Sequence, residues 1–188
     1  QIWCSDNTDA PSRLIVQYGT SFAYSVSTMG AHVSACPNKK VKRTVPWQTR
    51  AFTAMHGTYG YELDPAKMTA EELTACKELT DIYVENQQLI YESDYYRLSS
   101  PYDNEIFTAW QFVSKDKTRS LVFAVTQDIS ILDRNCYVKP QGLDPDRLYK
   151  VKGHDLYLSG KTLQSEGLLI PHTQPQYSSF MFELEAVE

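Results

Sequence analysis

Up to about residue 97 this chain alternates apolar runs of strand length with stretches of helical spacing. Beyond that point, strand-like runs follow one another with only turns between them. This switch constrains the fold more than any composition figure does. A parallel partner strand needs a long crossover connection, usually a helix, whereas strands joined by short turns pair antiparallel. The sequence therefore predicts two parts, an α/β part over 1–97 and an all-β part over 98–188.

The chain opens on QIWCSDNTDA. Ile2, Trp3 and Cys4 form a short apolar run suited to a buried strand, and Ser5 to Asp9 turn the chain into a helix reaching about Tyr18. Asp9 or Thr8 caps that helix, Pro11 is tolerated in its first turn and Gly19 stops it. Ser21–Ser27 alternates apolar with small or polar residues and reads as the next strand. A polar loop follows between Pro37 and Pro46, and Phe52–Tyr61 reads as another strand with a glycine-containing exit. Thr69-Ala70-Glu71-Glu72 is a capping box. The helix it opens carries Leu73, Cys76, Leu79, Tyr83 and Ile90 at helical spacing and is expected to end near Glu92.

In the second part, Phe107–Val113 and Ser120–Thr126 read as strands joined by the charged hairpin Ser114–Arg119. Further strands are expected at Leu148–Val151, Asp155–Leu158 and Ser179–Leu184, separated by Gly142, Asp144-Pro145 and Ser159-Gly160. An antiparallel β-sandwich is the architecture this pattern fits.

Composition excludes some partners. The formal net charge is −5, and the one basic cluster, Lys39 to Arg43, is short and lies in the Pro-bounded loop, so no nucleic-acid partner is expected. No apolar stretch is long enough to span a membrane. Cys4, Cys36, Cys76 and Cys136 have neither CxxC pairing nor metal-ligand spacing. Cys4 and Cys76 read as small buried hydrophobes, and free thiols fit a reducing, cytoplasmic setting. No metal or other cofactor is expected.

Two carboxylates stand out. Where strands alternate with helices in a barrel, catalytic groups sit at the C-terminal ends of the strands, which is where Asp6 and Asp9 fall. Asp9, just before a helix, reads first as an N-cap. Asp6 directly follows the strand and precedes the turn, so a cap explains it less well. His32 and His56 read as histidines hydrogen-bonded within packed loops. No GxSxG elbow supports a serine hydrolase, and Gly57-Thr58-Tyr59-Gly60 is too short and aromatic for a phosphate loop. Trp3 and Trp47 have faces that suit a sugar ring, although aromatic residues in strands are more often core.

The stretches QIWCSDNTDA, RLIVQYGTSFAY, VSTMGAHVSACPN, TRAFTAMHGTYGYELD and GLDPDRLYKV, in this order, resemble the C-terminal part of microbial α-galactosidases of glycoside hydrolase family thirty-six. The resemblance implies that residues 1–97 are the last three strands and helices of a (β/α)8 TIM barrel, and that 98–188 are the C-terminal β-domain. It implies hydrolysis of terminal α-galactosyl groups, as in melibiose and raffinose, with net retention. Asp6, the first aspartate of SDNTD, would then be the general acid/base, and Trp3 is a candidate sugar contact.

Retaining hydrolysis also needs a nucleophilic carboxylate about 5–5.5 Å from the acid. In the family it lies in a Lys-Trp-Asp type motif on an earlier strand, and no such motif occurs in this sequence. The implied partners are therefore an α-galactoside, an N-terminal sandwich and barrel portion outside this sequence, and further copies in a homo-oligomer, often a tetramer in the family. An α-N-acetylgalactosaminidase, an α-galactosyl transferase and a non-catalytic assembly or sugar-binding module are the alternatives. Ser25, where such enzymes commonly carry proline, is a departure expected to be conformational.

Overall fold

The computed structural model describes residues 1–103, 106–127, 136–171 and 175–187. The chain falls into two units, Gln1–Tyr91 and Glu92–Glu188.

In the first unit, the apolar run after Gln1 forms strand β1 (Ile2–Trp3), and helix α1 (Ala10–Thr20) follows the acidic turn. β2 (Met29–Gly30) pairs parallel with β1, Ile2 facing Met29 and Trp3 facing Gly30. β3 (Val33–Ser34) pairs parallel with β4 (Tyr61–Glu62), with helix α2 (Trp47–Ala54) between them in sequence. A parallel bridge from Gly30 to Thr58 joins the two pairs edge to edge. The backbone bonds across it, Ala31 N–H to Thr58 O at 3.0 Å and Thr58 N–H to Met29 O at 2.8 Å, continue the ladder. Gly57 sits where a Cβ would lie 2.5 Å from the Met29 carbonyl oxygen, so only glycine admits this approach. Helix α3 (Ala70–Glu92) closes the unit. Its capping box forms as expected: Thr69 N–H donates to Glu72 Oε2 at 2.9 Å and Glu72 N–H to Thr69 Oγ1 at 3.2 Å.

Several expectations for this unit need correction. Ser21–Ser27 is not a strand. Helix α1 runs past Gly19 to Thr20, the Ser21 N–H caps it on Gln17 O and Gly19 O, and a 3-10 turn at Val26–Thr28 leads into β2. Phe22 and Tyr24, whose alternation suggested a strand, are exposed. Phe52–Tyr61 is not a strand either, since Phe52 lies in α2. From Thr49 to Ala54 every residue of that helix is buried. A helix covered on all sides shows no amphipathic period to distinguish it from an apolar strand. Trp3 was expected to be core and is instead 59% exposed. Cys4 and Cys76 are half-buried rather than buried, and all four thiols are free.

The second unit is a six-stranded antiparallel sheet in the order β10-β9-β12-β7-β6-β5. Its strands are β5 (Asp94–Arg97), β6 (Phe107–Val113), β7 (Arg119–Thr126), β9 (Leu148–Val151), β10 (Leu156–Ser159) and β12 (Ser179–Ala186). β8 (Cys136–Val138) and β11 (Leu168–Ile170) form a separate antiparallel ribbon, and a short helix α4 (Gly160–Ser165) precedes β11. Val138, Leu163, Leu168 and Ile170 from the ribbon and α4 pack with Ala109, Val122, Ala124, Tyr149 and Leu184 of the sheet. The opposite parity of the β6–β7 hairpin carries Trp110 stacked on Phe123, with Phe112 edge-on to Phe123. All three rings are buried. The hairpin expected at Ser114–Arg119 is present, its Asp116 accepting from Ser114 Oγ and from the N–H and hydroxyl of Thr118. Asp94–Arg97 pairs with β6 and so belongs to this unit. The change of sequence pattern near residue 98 places the boundary later than the strand pairing does.

Candidate active site

The exit of β1 is held by short polar bonds. Asn7 N–H donates to Ser5 Oγ at 3.0 Å, and Asp9 N–H donates to Asn7 Oδ1 at 3.0 Å. These side-chain-to-backbone turns are what Ser and Asn do where a strand gives way to a helix. The two aspartates of the segment then part company. Asp9 is 2% exposed. Its Oδ2 accepts from Ser12 N–H at 3.2 Å, Ser12 Oγ at 2.7 Å and Arg43 Nη1 at 2.5 Å. It is the N-cap of α1, as the sequence suggested. Asp6 is exposed, caps nothing, and accepts a 2.8 Å hydrogen bond from Trp3 Nε1 on Oδ1.

Trp3 lies parallel to the His32 ring, with centroids 4.9 Å apart and planes 16° from parallel. The indole thus has one face on His32 and its N–H on Asp6, and the residue is 59% exposed. The His32 side chain is 9% exposed and its Nε2 lies 2.6 Å from Glu62 Oε2. The Glu62 carboxylate thus sits against the ring nitrogen of a nearly buried histidine. Burial lowers the His32 pKa; Glu62 pushes it back up and Arg13 lowers it further. Trp3, His32, Thr58, Tyr59 and Glu62 line a recess of about 240 Å³. Glu62 also borders a second cavity of about 320 Å³, reached by Thr8, Ser34, Trp47, Arg50 and Glu72.

Two buried arginines fix the strand ends that carry these groups. Arg13, 2% exposed, donates through Nη1 to Ser5 O at 3.2 Å, through Nη2 to Gly30 O at 2.6 Å, and through Nε to Gln17 Oε1 at 3.1 Å. It thereby ties the residue before Asp6 to the end of β2. Arg50 lies 3.8 Å over the Trp47 ring and donates to Ser34 O at 2.7 Å and Val45 O at 3.2 Å. Burial lowers the pKa of both guanidiniums from their ordinary value. His56 is the packed histidine the sequence suggested: it is 2% exposed, with Nδ1 3.2 Å from Gln17 Nε2. His32 is not a loop residue satisfied in isolation, since it links Trp3 to Glu62.

Sequence reasoning missed Arg13, Arg50 and Glu62. Arg13 was visible as a charge inside the apolar run of α1. Glu62 was visible as a carboxylate at a strand end, on the same logic that singled out Asp6. Among the described residues no group of three or more His, Cys, Asp or Glu side chains is disposed to hold a metal ion.

Residues 1–93 match the family model described as Melibiase, and residues 107–184 match that of the glycosyl hydrolase family 36 C-terminal domain. The chain is 43% identical, over 97% of its length, to the bifunctional alpha-galactosidase/sucrose kinase AgaSK of Mediterraneibacter gnavus, of which it covers 19%. It is 41% identical over its full length to alpha-galactosidase AgaA of Geobacillus stearothermophilus, of which it covers 26%. Among solved structures, the galactosidase domain of AgaSK superposes on the whole chain with a TM-score of 0.96 at 41% identity, with 26% of that domain covered. A variant of AgaA in complex with raffinose superposes on 97% of the chain with a TM-score of 0.93 at 38% identity, with 25% of it covered. The chain thus spans about a quarter or less of the proteins it resembles, and within that span it belongs to glycosyl hydrolase family 36.

Proposed function

We propose that this chain is the C-terminal portion of a retaining α-galactosidase, and that Asp6 is its general acid/base. The observation that carries the reading is the difference between the two aspartates of the opening segment. Asp9 is consumed by α1 and Arg43, whereas Asp6 stands exposed at a strand exit with its carboxylate bonded to the N–H of the largely exposed Trp3. An aromatic face next to a carboxylate suits a sugar: the apolar face of the ring stacks on Trp3 while Asp6 reaches the glycosidic oxygen. β1, β2 with β3, and β4 are taken as the last three strands of a (β/α)8 barrel, and the second unit as the C-terminal sandwich. The relatives' names and the raffinose complex of one of them support terminal α-D-galactosyl groups, as in melibiose and raffinose, as the substrate.

In this scheme Asp6 gives its proton to the departing oxygen as a second carboxylate attacks the anomeric carbon. Asp6 then takes a proton from the water that releases the sugar. The second carboxylate comes from the rest of the protein, since the sequence has no Lys-Trp-Asp segment. The isolated chain is therefore inactive. Four free thiols are in keeping with a cytoplasmic enzyme.

The test is a chimera in which this chain replaces the matching quarter of AgaA. It is expected to hydrolyse melibiose, and Asp6→Asn to lower turnover about 10²–10⁴-fold, the range general acid–base groups supply. Unchanged turnover in Asp6→Asn overturns the assignment, and hydrolysis by the isolated chain overturns the need for a second portion.

A further inference from the structure

We infer that His32 and Glu62 are positioning residues that fix the Trp3 ring and, through its N–H, the Asp6 carboxylate. This rests on the role proposed for Asp6. The four side chains form one line of contacts: Glu62 Oε2 to His32 Nε2 at 2.6 Å, the His32 ring on the Trp3 ring at 4.9 Å, and Trp3 Nε1 to Asp6 Oδ1 at 2.8 Å. They come from three separate elements: β1 and its exit, the segment between β2 and β3, and β4.

Each contact removes a freedom that the others leave. Pairing of Trp3 with Gly30 fixes the Trp3 backbone, but the side chain is 59% exposed and has no enclosing core to select its rotamer. Stacking on His32 sets the plane of the indole. Once that plane is set, the N–H is confined to it, and Asp6 Oδ1 lies within hydrogen-bond reach at 2.8 Å. His32 can serve as the base of this stack because it is itself held: its side chain is nearly buried, and Glu62 engages its Nε2. Glu62 is the exposed end of the line and borders both recesses. Occupation of either recess would therefore reach Asp6 through this line of contacts.

The test uses the 188-residue chain labelled at its three indole nitrogens, Trp3, Trp47 and Trp110, with Trp3→Phe assigning the resonance of interest. Asp6→Asn marks where the Trp3 indole resonance falls without its charged acceptor. His32→Ala and Glu62→Ala are each expected to move the Trp3 resonance toward that position, while Trp47 and Trp110 stay in place and report an intact fold. His32→Phe keeps a ring to stack on and is expected to return the resonance toward its original place. The inference is overturned if the Trp3 resonance stays put in His32→Ala with the other two indoles unmoved. Should His32→Ala fail to fold, Glu62→Ala decides, since this half-exposed side chain can be removed without opening the core; an unmoved Trp3 resonance then overturns the inference. The signal needs no catalysis. Retained turnover in the Asp6→Asn chimera would refute the role of Asp6 and leave this result standing, and the converse also holds.

Discussion

The two units of this chain are held together in different ways. In the first, each described strand is two residues long, and side chains do much of what a ladder would do. Arg13 gathers the carbonyls of Ser5 and Gly30, Arg50 those of Ser34 and Val45, Ser34 Oγ donates to Thr8 O, and Thr58 Oγ1 donates to Met29 O. In the second, β6, β7 and β12 run seven or eight residues in continuous antiparallel register, and the centre is aromatic and aliphatic. A long ladder needs few side-chain bonds to hold it. Short strands that end at a site leave backbone carbonyls unpaired, and buried donors must satisfy them. The first unit therefore combines its polar interior with the candidate site residues, whereas the second is organised by its ladder, with isolated buried polar points such as Gln111 on Ser120 and Glu183 between Arg119 and Lys152.

The sharpest way to break this contrast is in the second unit. Trp110→Ala removes a buried indole stacked on Phe123 and is expected to cost about 3–5 kcal/mol in denaturant unfolding. A cost below ~1 kcal/mol would mean that the aromatic centre is not what holds the sheet. In the first unit, Arg13→Met keeps volume but leaves Ser5 O, Gly30 O and Gln17 Oε1 without this donor. At ~1–3 kcal/mol per buried group left unsatisfied, a loss of at least about 3 kcal/mol is expected for the three, with faster amide exchange at the start of α1. If the variant is as stable as the parent, the carbonyls find other partners and the contrast fails.

The two units also differ in their response to acid. Burial holds the His32 pKa below its ordinary value near 6.5, with Glu62 raising it and Arg13 lowering it. The unfolded chain thus binds the proton more readily. The contribution is intact above about 6.5 and is lost as pH falls from there toward the lower folded value. In the second unit burial raises the Glu183 pKa, but hydrogen bonds and charge from Lys152 and Arg119 outweigh it, and the net shift is downward from 4.5. That contribution is intact above the carboxylate range and is lost only below it. Between pH 7 and 5, amide protection is expected to weaken around β1 and β2 and to hold in β7 and β12. The opposite order would contradict the assignment of these groups. The smallest effect is expected at α3, where Thr69→Ala removes one half of the capping box and should cost ~1 kcal/mol with fraying confined to its first turn.

What the sequence made legible follows the same divide. Local chemistry was readable wherever a few neighbouring residues decide the outcome: the Asp9 cap, the box at Thr69–Glu72, and the hairpin at Ser114–Arg119 with its flanking strands. α2 was not readable, because burial on every side erases the helical period. Ser21–Ser27 was misread because Phe22 and Tyr24 alternate without a core to face. In the proposed site, Asp6 is singled out by its place after a strand and by the family resemblance. The support beneath it was not visible, because His32 lies 29 positions from Trp3 and Glu62 30 positions from His32; only parallel pairing brings the three together.

The role proposed for Asp6 is to donate and then withdraw a proton at the glycosidic bond. The most direct measurement is kcat/KM, which reports the step up to the glycosyl intermediate, for the AgaA chimera carrying Asp6→Asn on two substrates, melibiose and a nitrophenyl α-galactoside. An acid matters most where the leaving group is poor, so a far larger loss is expected on melibiose than in the release of nitrophenol from the nitrophenyl compound. Equal losses on both substrates, or no loss on melibiose, would contradict it.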